Sequence, residues 1–538
     1  MKKLLVWLTR ACLVLALAAS VEAAKAAEPS RPNIVIILVD DMGLADLGCY
    51  GSEIPTPNVD ALAAGGLRFT QFYNTARCCP TRASLLTGLY PHQAGVGHMV
   101  EDLGVPGYRG YLNDRCVTIA EVMRGAGYFT AMTGKWHVGT PPDKWPRQRG
   151  FDRFYGSETG GFYYRPYAAR KVINDDTPVY TSTNLPPADW YSTDAWTDNA
   201  IQFVGEAVAA KKPFFLYLAH NAPHFPLQAP PEDIAKFRGK YKMGWDRLRA
   251  QRHAKQIQLG IMDKAWPLSP RPEEVKAWEQ LTAEEQDRFD HIMAIYAACM
   301  EHMDRSVGRL VAALKDKGVF DNTLIFFLSD NGGNAESGPN GRLEGPGEFG
   351  AVNSTVYCGQ SWATLQNTPL RRYKHYNHEG GIATPLIAHW PARIKDAGQL
   401  RAQPGHLVDL MATCVDVSGA KYPAEFKGKA IQPMEGRSLV PAFDNKSIQR
   451  DALYWEHEGN AAIRVGDMKL VRLGRNGAWE LYDLKADRTE LHNLAEAKPD
   501  LTKQLAAKWE TWAERAQVKP YPPEAAAKKK AKTKKAAN

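Results

Sequence analysis

Cysteine is scarce in this sequence, eight residues in 538, and its spacings are scattered. A disulfide-stapled scaffold needs dense, patterned cysteines and is thereby excluded. Apolar runs are scarce as well. After Ala26 no stretch is long and apolar enough to span a bilayer. A one-signed charge excess is also missing from the body of the chain. The net charge is +8, but the end, 525–538, reads AAAKKKAKTKKAAN and supplies most of it. The near-neutral remainder argues against a nucleic-acid partner. No repeat recurs at a solenoid or propeller period.

The two termini stand apart from the rest. Met1-Lys2-Lys3 is a basic start, and the apolar run to Ala19 is broken only by Thr9 and Arg10. Small residues around Ala24-Lys25-Ala26 then offer a cleavage site. This pattern predicts a secretory signal peptide over 1–26 and a periplasmic or secreted product with no transmembrane segment. Cys12 leaves with that segment, so an odd number of cysteines reaches an oxidising compartment. One of them is expected to have another task. The Lys-rich tail, 521–538, cannot bury apolar surface and is expected to be disordered. A weak electrostatic anchor to acidic glycans or membrane is the alternative.

Between the termini, β-branched and aromatic runs alternate with helical patterns. The runs 33–39, 128–132, 212–218 and 323–329 read as strands buried on both faces. Helical periodicity covers 58–66, 84–86, 117–124 and a long stretch, 274–317. This alternation predicts an α/β fold, with a large, mixed but mostly parallel central sheet flanked by helices. Past Pro433 short strands at 453–455, 461–465, 468–472 and 479–482 precede a helix over 501–516. They predict a smaller antiparallel sheet plus helix, so the expected domains are 27–432 and 433–520.

Polar residues cluster just after the apolar strands, where open α/β sheets bind ligands. Asp40-Asp41 and Asp330-Asn331 each follow a strand and precede a glycine. Three carboxylates and an amide oxygen are hard donors that suit Ca²⁺ or Mg²⁺ rather than zinc. An acidic pair after a strand is more often a turn or helix cap, and only the shared context of the two pairs raises the metal reading.

A second feature is more specific. Arg77-Cys78-Cys79-Pro80-Thr81-Arg82 continues as Ala83-Ser84-Leu85-Leu86-Thr87-Gly88. This stretch resembles the C-x-[PA]-[ST]-R signature of type I sulfatases. Thr133-Gly134-Lys135-Trp136-His137, Ala222-Pro223-His224 and Lys374 ahead of Glu379-Gly380-Gly381 are similar to that family's further segments, as is Glu490-Leu491-His492-Asn493-Leu494. The resemblance runs from Arg31 to about Gln517 and implies an alkaline phosphatase-like fold that hydrolyses sulfate esters.

What it implies for single residues follows position by position. Cys78 is oxidised to formylglycine by a formylglycine-generating or other maturation enzyme and serves as nucleophile. One calcium ion is held by Asp40, Asp41, Asp330 and Asn331, with residue 78 joining them. Arg82, Lys135 and Lys374 balance the charge of the sulfate. His137 takes a proton during sulfate release, and His224 binds sulfate and helps protonate the leaving oxygen. Asp330 is a candidate base for the attack. The plain alternative for Cys78-Cys79 is a vicinal disulfide or two buried thiols.

The natural ester, aryl or carbohydrate, stays open. The insertion 334–362 is expected to form a rim that selects the alcohol. Tyr163, Tyr164, Tyr167 and Trp190 are candidates to stack on rings. His220, Asn221, His375, His378, Glu456, His457 and Asn460 are candidate pocket residues, with a structural role the alternative for each. Two other functions fit the same sequence. One is a phosphate or phosphonate monoester hydrolase on the shared scaffold. The other is a non-catalytic binder of sulfated glycans, if Cys78 remains a thiol.

Overall fold

The computed structural model describes residues 31–523. The expected signal peptide, and the tail from 524 onward, lie outside the described residues. No helix among those described is long and apolar enough to cross a membrane.

The chain winds around one eleven-stranded sheet. Its strands are β1 (Asn33–Val39), β2 (Leu67–Tyr73), β3 (Phe129–Lys135), β4 (Arg153–Ser157), β5 (Val172–Asn174), β6 (Thr177–Tyr180), β7 (Phe214–Ala219) and β8 (Thr323–Ser329). A hairpin of β9 (Arg342–Glu344) and β10 (Thr355–Tyr357) stands off this sheet, and β11 (Ala383–His389), β12 (Leu400–Arg401) and β13 (Gly405–His406) complete it. The order is β12-β2-β11-β8-β1-β7-β3-β4-β5-β6, with β13 also on β2. Strands β8, β1, β7, β3 and β4 run parallel, while β11 lies antiparallel between β8 and β2.

The β-branched composition of β1 follows from its place in the middle. Val35, Ile37 and Val39 face one core, and Ile34, Ile36 and Leu38 face another on the opposite side. A strand buried on both faces has no polar side to alternate with. The first core also takes in residues of the helices Pro57–Ala64, Ser192–Ala209 and Ala283–Asp316. The second takes in residues of Cys78–Thr87, Ile119–Gly125 and Asp409–Ser418.

Register fixes the functional edge. Val39 pairs with Ser329, Leu38 with Ala219, and Gly134 with Ala219. The residues that follow β1, β8, β7 and β3 therefore leave the sheet side by side.

Some boundaries differ from the sequence expectation. The long helix begins at Ala283, not 274, because Thr282 and Glu285 form a capping box there. A short turn, Trp278–Gln280, occupies part of the segment before it. Helix 78–87 takes in the whole cysteine signature, not only its end. Beyond the short pair β14 (Glu425–Phe426) and β15 (Lys429–Ala430), the strands β16 (Leu453–His457), β17 (Asn460–Val465), β18 (Met468–Arg472) and β19 (Trp479–Asp483) form an antiparallel meander. Helix Pro499–Arg515 packs on it through Trp509 and Trp512.

Candidate active site

The site grows from the ends of four parallel strands and one helix. Asp40 and Asp41 follow β1, and Asp330 and Asn331 follow β8. The Asp330 amide donates to the Val39 carbonyl at 3.0 Å, and the Asp41 amide to Asp330 Oδ1 at 3.2 Å. Lys135 ends β3, and His137 lies two residues beyond. Asp41 and His137 both take left-handed backbones, φ 67° and 59°. Non-glycine residues rarely accept this conformation, and it concentrates at functional sites.

Cys78 opens its helix, and Arg82 lies one turn on, so both share a face. Arg82 is fully buried. It donates through Nη2 to Asp330 Oδ2 at 2.8 Å and to Asp40 Oδ2 at 3.3 Å, and through Nη1 to the Lys135 carbonyl at 2.8 Å. Lys135 Nζ lies 2.6 Å from Asp40 Oδ2, and Lys374 Nζ 2.7 Å from Asp41 Oδ1. The Lys374 amide is tied to the Gly333 carbonyl, which holds its loop against the Asp330 segment. His224 brings Nε2 to 3.6 Å from Asp41 Oδ2. Ligand atoms of Cys78, Cys79 and His137 lie within 4.8 Å of one another, as do those of Asp40, Asp41 and His224.

Three buried cations thus face three buried carboxylates. Burial alone would raise Asp40, but Lys135, His224 and Arg82 outweigh it and hold its carboxyl well below the usual range. Asp330 goes the other way, pushed up by burial and by the charge of Asp40. Two acceptors here, Asp40 Oδ1 and Asn331 Oδ1, are buried without a hydrogen-bond partner. An orphaned buried acceptor is costly, and a pair of them among hard oxygen donors suits a divalent cation. Asp40, Asp41, Asp330 and Asn331 fit calcium on that test. Burial and Lys135 pull the His137 imidazole down to about 4. The ring is therefore neutral at neutral pH and able to accept a proton.

Above these groups opens a cavity of about 630 Å³, with Cys78, Lys135, His137, His224 and Lys374 in its wall. Cys78, Arg82, Lys135, His137, His224 and Lys374 are thus gathered around Asp40, Asp41, Asp330 and Asn331, whereas Glu379 and Glu490 lie apart, on Lys469.

A family model for Sulfatase matches residues 32–420. The chain belongs to the sulfatase family.

A second model, for the C-terminal region of N-sulphoglucosamine sulphohydrolase, matches residues 372–515. An arylsulfatase of Klebsiella aerogenes is 36% identical over 435 residues, covering 77% of this chain and 93% of that protein. An uncharacterized sulfatase of Schizosaccharomyces pombe is 35% identical, covering 90% and 94%. The solved structure of Ps i-CgsB in complex with k-i-k-neocarrahexaose superposes with a TM-score of 0.69 at 29% identity, covering 92% and 95%. The protein is a sulfuric ester hydrolase with an alkaline phosphatase-like fold.

Two residues of this sulfatase were not marked by the sequence. Asn334 Nδ2 donates to Asp41 Oδ2 at 2.6 Å, beside Asn331 on the other oxygen. Glu336 approaches Arg77, Lys374 and His375 at 3.3, 3.8 and 2.8 Å. Both lie in the insertion just past Asp330-Asn331, and that adjacency was the only signal.

Other candidates fall elsewhere. Tyr163 is 1% exposed and stacks on Tyr191 in the core, and Trp190 stacks on Phe162. Tyr164 also packs on Tyr191, so of the four candidate stacking residues Tyr167 alone lines the cavity. Asn221 braces Ser192 and Trp196, Glu456 pairs with His92, and His378 with Glu480. Asn460 donates to the His375 carbonyl, and His220 is wholly buried beneath the sheet edge. His375 and His457 sit beside Glu458, next to the cavity wall.

Proposed function

We propose that this sulfatase cleaves sulfate esters through a formylglycine made from Cys78, with one calcium ion held by Asp40, Asp41, Asp330 and Asn331. The observation that carries this reading is the convergence of Cys78, two lysines and two histidines on one cavity, over buried carboxylates with orphaned acceptor oxygens. The hydrated aldehyde supplies one hydroxyl for attack at sulfur and a second whose deprotonation expels sulfate, which a serine lacks. Calcium supplies the divalent charge that draws electrons from the sulfate oxygens.

The chain's own groups do the rest. Each lysine ammonium has three donors and spends part of them on an aspartate, which leaves the remainder for the sulfate oxygens. Arg82 anchors Asp40 and Asp330 and balances their charge. Asp330 takes the proton of the attacking hydroxyl. His224 binds sulfate and gives a proton to the leaving alcohol oxygen. Neutral His137 accepts the proton that accompanies sulfate release.

Cys78 is only 1% exposed, so the maturation enzyme acts before the segment folds. The leader 1–26 directs the chain to the periplasm or medium. A sulfated carbohydrate is the natural ester; a solved relative was captured with a neocarrahexaose, and tyrosines flank the mouth of the cavity. Aryl sulfates are turned over because phenols leave easily.

The mass of the tryptic peptide bearing Cys78, from protein purified out of its native host, tests the nucleophile. An aldehyde in place of the thiol is expected. A thiol in fully active protein overturns the mechanism, and a thiol in inactive protein points to a missing maturation enzyme or to the glycan-binding reading. Comparing sulfate and phosphate esters of one phenol separates this function from the monoester phosphatase alternative.

A further inference from the structure

The mouth of the cavity carries cations that the reacting sulfate does not use. In the β9–β10 hairpin Arg342 is the direct cross-strand partner of Tyr357, and its guanidinium lies over that ring, 5.2 Å from the centroid. Tyr357 packs on Phe225 at 4.3 Å, and Phe225 stacks on His224 at 4.2 Å. A column of rings thus runs from the imidazole beside Asp41 out to a guanidinium. Arg170 lies 3.9 Å over the Tyr167 ring. Tyr167, Arg170, Arg342 and Tyr357 all line the same cavity, as does Glu336.

The two guanidiniums differ from the other cations there. Arg77 is engaged by Glu336 and Glu458 at 3.3 Å each, and Lys374 by Asp41. Arg170 has no carboxylate within ion-pair distance among the described residues, and Arg342 reaches only Glu344 of its own strand, at 3.8 Å. Exposed pairs of that kind contribute little and break readily. A guanidinium stacked on an aromatic ring keeps its edge donors free and oriented for a planar or tetrahedral oxyanion. The column of rings separates Arg342 from the reacting group, so it serves a different part of the substrate. Glu101 also lines the cavity, and one of its carboxylate oxygens is buried without a partner, a fitting acceptor for a hydroxyl.

We propose that Arg170 and Arg342 form a second anion subsite, which takes a further sulfate or carboxylate on a saccharide whose reacting sulfate lies at Cys78. The substrate class is then a polyanionic carbohydrate. This inference rests on the sulfatase reading of the cavity.

The test uses mature enzyme and an Arg170→Ala/Arg342→Ala double variant on three saccharides of equal length. One bears a single sulfate, one a second sulfate on the neighbouring residue, and one a carboxylate there. Wild type should prefer a doubly charged saccharide by about tenfold or more in kcat/KM, mostly through KM and less so at high salt. The preferred companion, sulfate or carboxylate, identifies the source of the second charge. In the double variant the preference should shrink to about twofold or less. Equal rates in wild type, or a preference that survives in the variant, overturn the subsite. If wild type hydrolyses none of these and not 4-nitrophenyl sulfate either, the sulfatase reading fails instead. Calorimetric binding of the doubly sulfated saccharide to Cys78→Ser protein then decides the subsite alone. Loss of about tenfold in affinity on removing both arginines supports it, and unchanged affinity overturns it.

Discussion

Asp41 shows how much work falls on one side chain. One oxygen receives Lys374 and Asn331, the other receives Asn334, and His224 stands nearby. Its left-handed backbone is held because so many partners agree on one position. Asn334 contributes through Asp41 without being one of the four proposed metal donors. Groups that orient a metal ligand are costly to remove. Asn334→Ala should therefore weaken calcium binding about 10–100-fold while the protein stays folded. Competition with a calcium chelator measures this, and an unchanged affinity removes Asn334 from the support of the ion.

At the scale of elements, the site depends on how closely strands approach at the functional edge. Gly134 sits between Ala219 of β7 and Gly156 of β4, one residue before Lys135. Its φ is +94°, and a Cβ there would lie 1.9 Å from the Ala219 carbonyl oxygen. Backbone cannot yield to that clash without spreading β3 from β7. Gly134→Ala is expected to destabilise the protein by about 3 kcal/mol and to displace Lys135 and His137 together. Thermal unfolding paired with kcat/KM measures it; a variant with native stability and native rate would show that the edge is more pliable than its contacts imply. The sequence displayed Gly134 inside a family-like segment, but its reason appears only when β7 lies alongside.

The whole molecule is joined by buried charge as well as by apolar cores. Glu379 meets Lys469 at 2.9 Å, Arg488 at 3.2 Å and the Tyr73 hydroxyl at 2.9 Å, and Lys469 meets Glu490 at 2.8 Å. This network ties the C-terminal meander to β2 and to the segment that follows Lys374. Buried histidines set the acid limit of the assembly. Burial holds His220 and His406 down to about 3 and His389 to about 4. In the unfolded chain such imidazoles titrate near about 6.5, so below that pH the unfolded state takes up protons that the native state refuses. Their contribution is intact above that pH and is lost as the pH falls toward the folded values. Urea midpoints should therefore fall steadily as the pH is lowered from about 7 to about 5, and His406→Gln should flatten the slope by its own share. A midpoint independent of pH over that window would show that these histidines protonate without unfolding.

The sequence by itself determined the class of sheet and the strand-then-acid pattern at its edge, and a family resemblance supplied the residues proposed for the chemistry. These are local signals: apolar runs buried on two faces, hard-oxygen pairs before glycine, and one contiguous cysteine signature. It could not say that Arg82 would serve Asp40 and Asp330 at once, that Asn334 would brace Asp41, or that Tyr163 would be core while Tyr167 faces the cavity. Those outcomes depend on contacts between residues tens to hundreds of positions apart. Parallel register decides which loops leave the sheet side by side, and no periodicity along the chain encodes a neighbour that arrives from elsewhere.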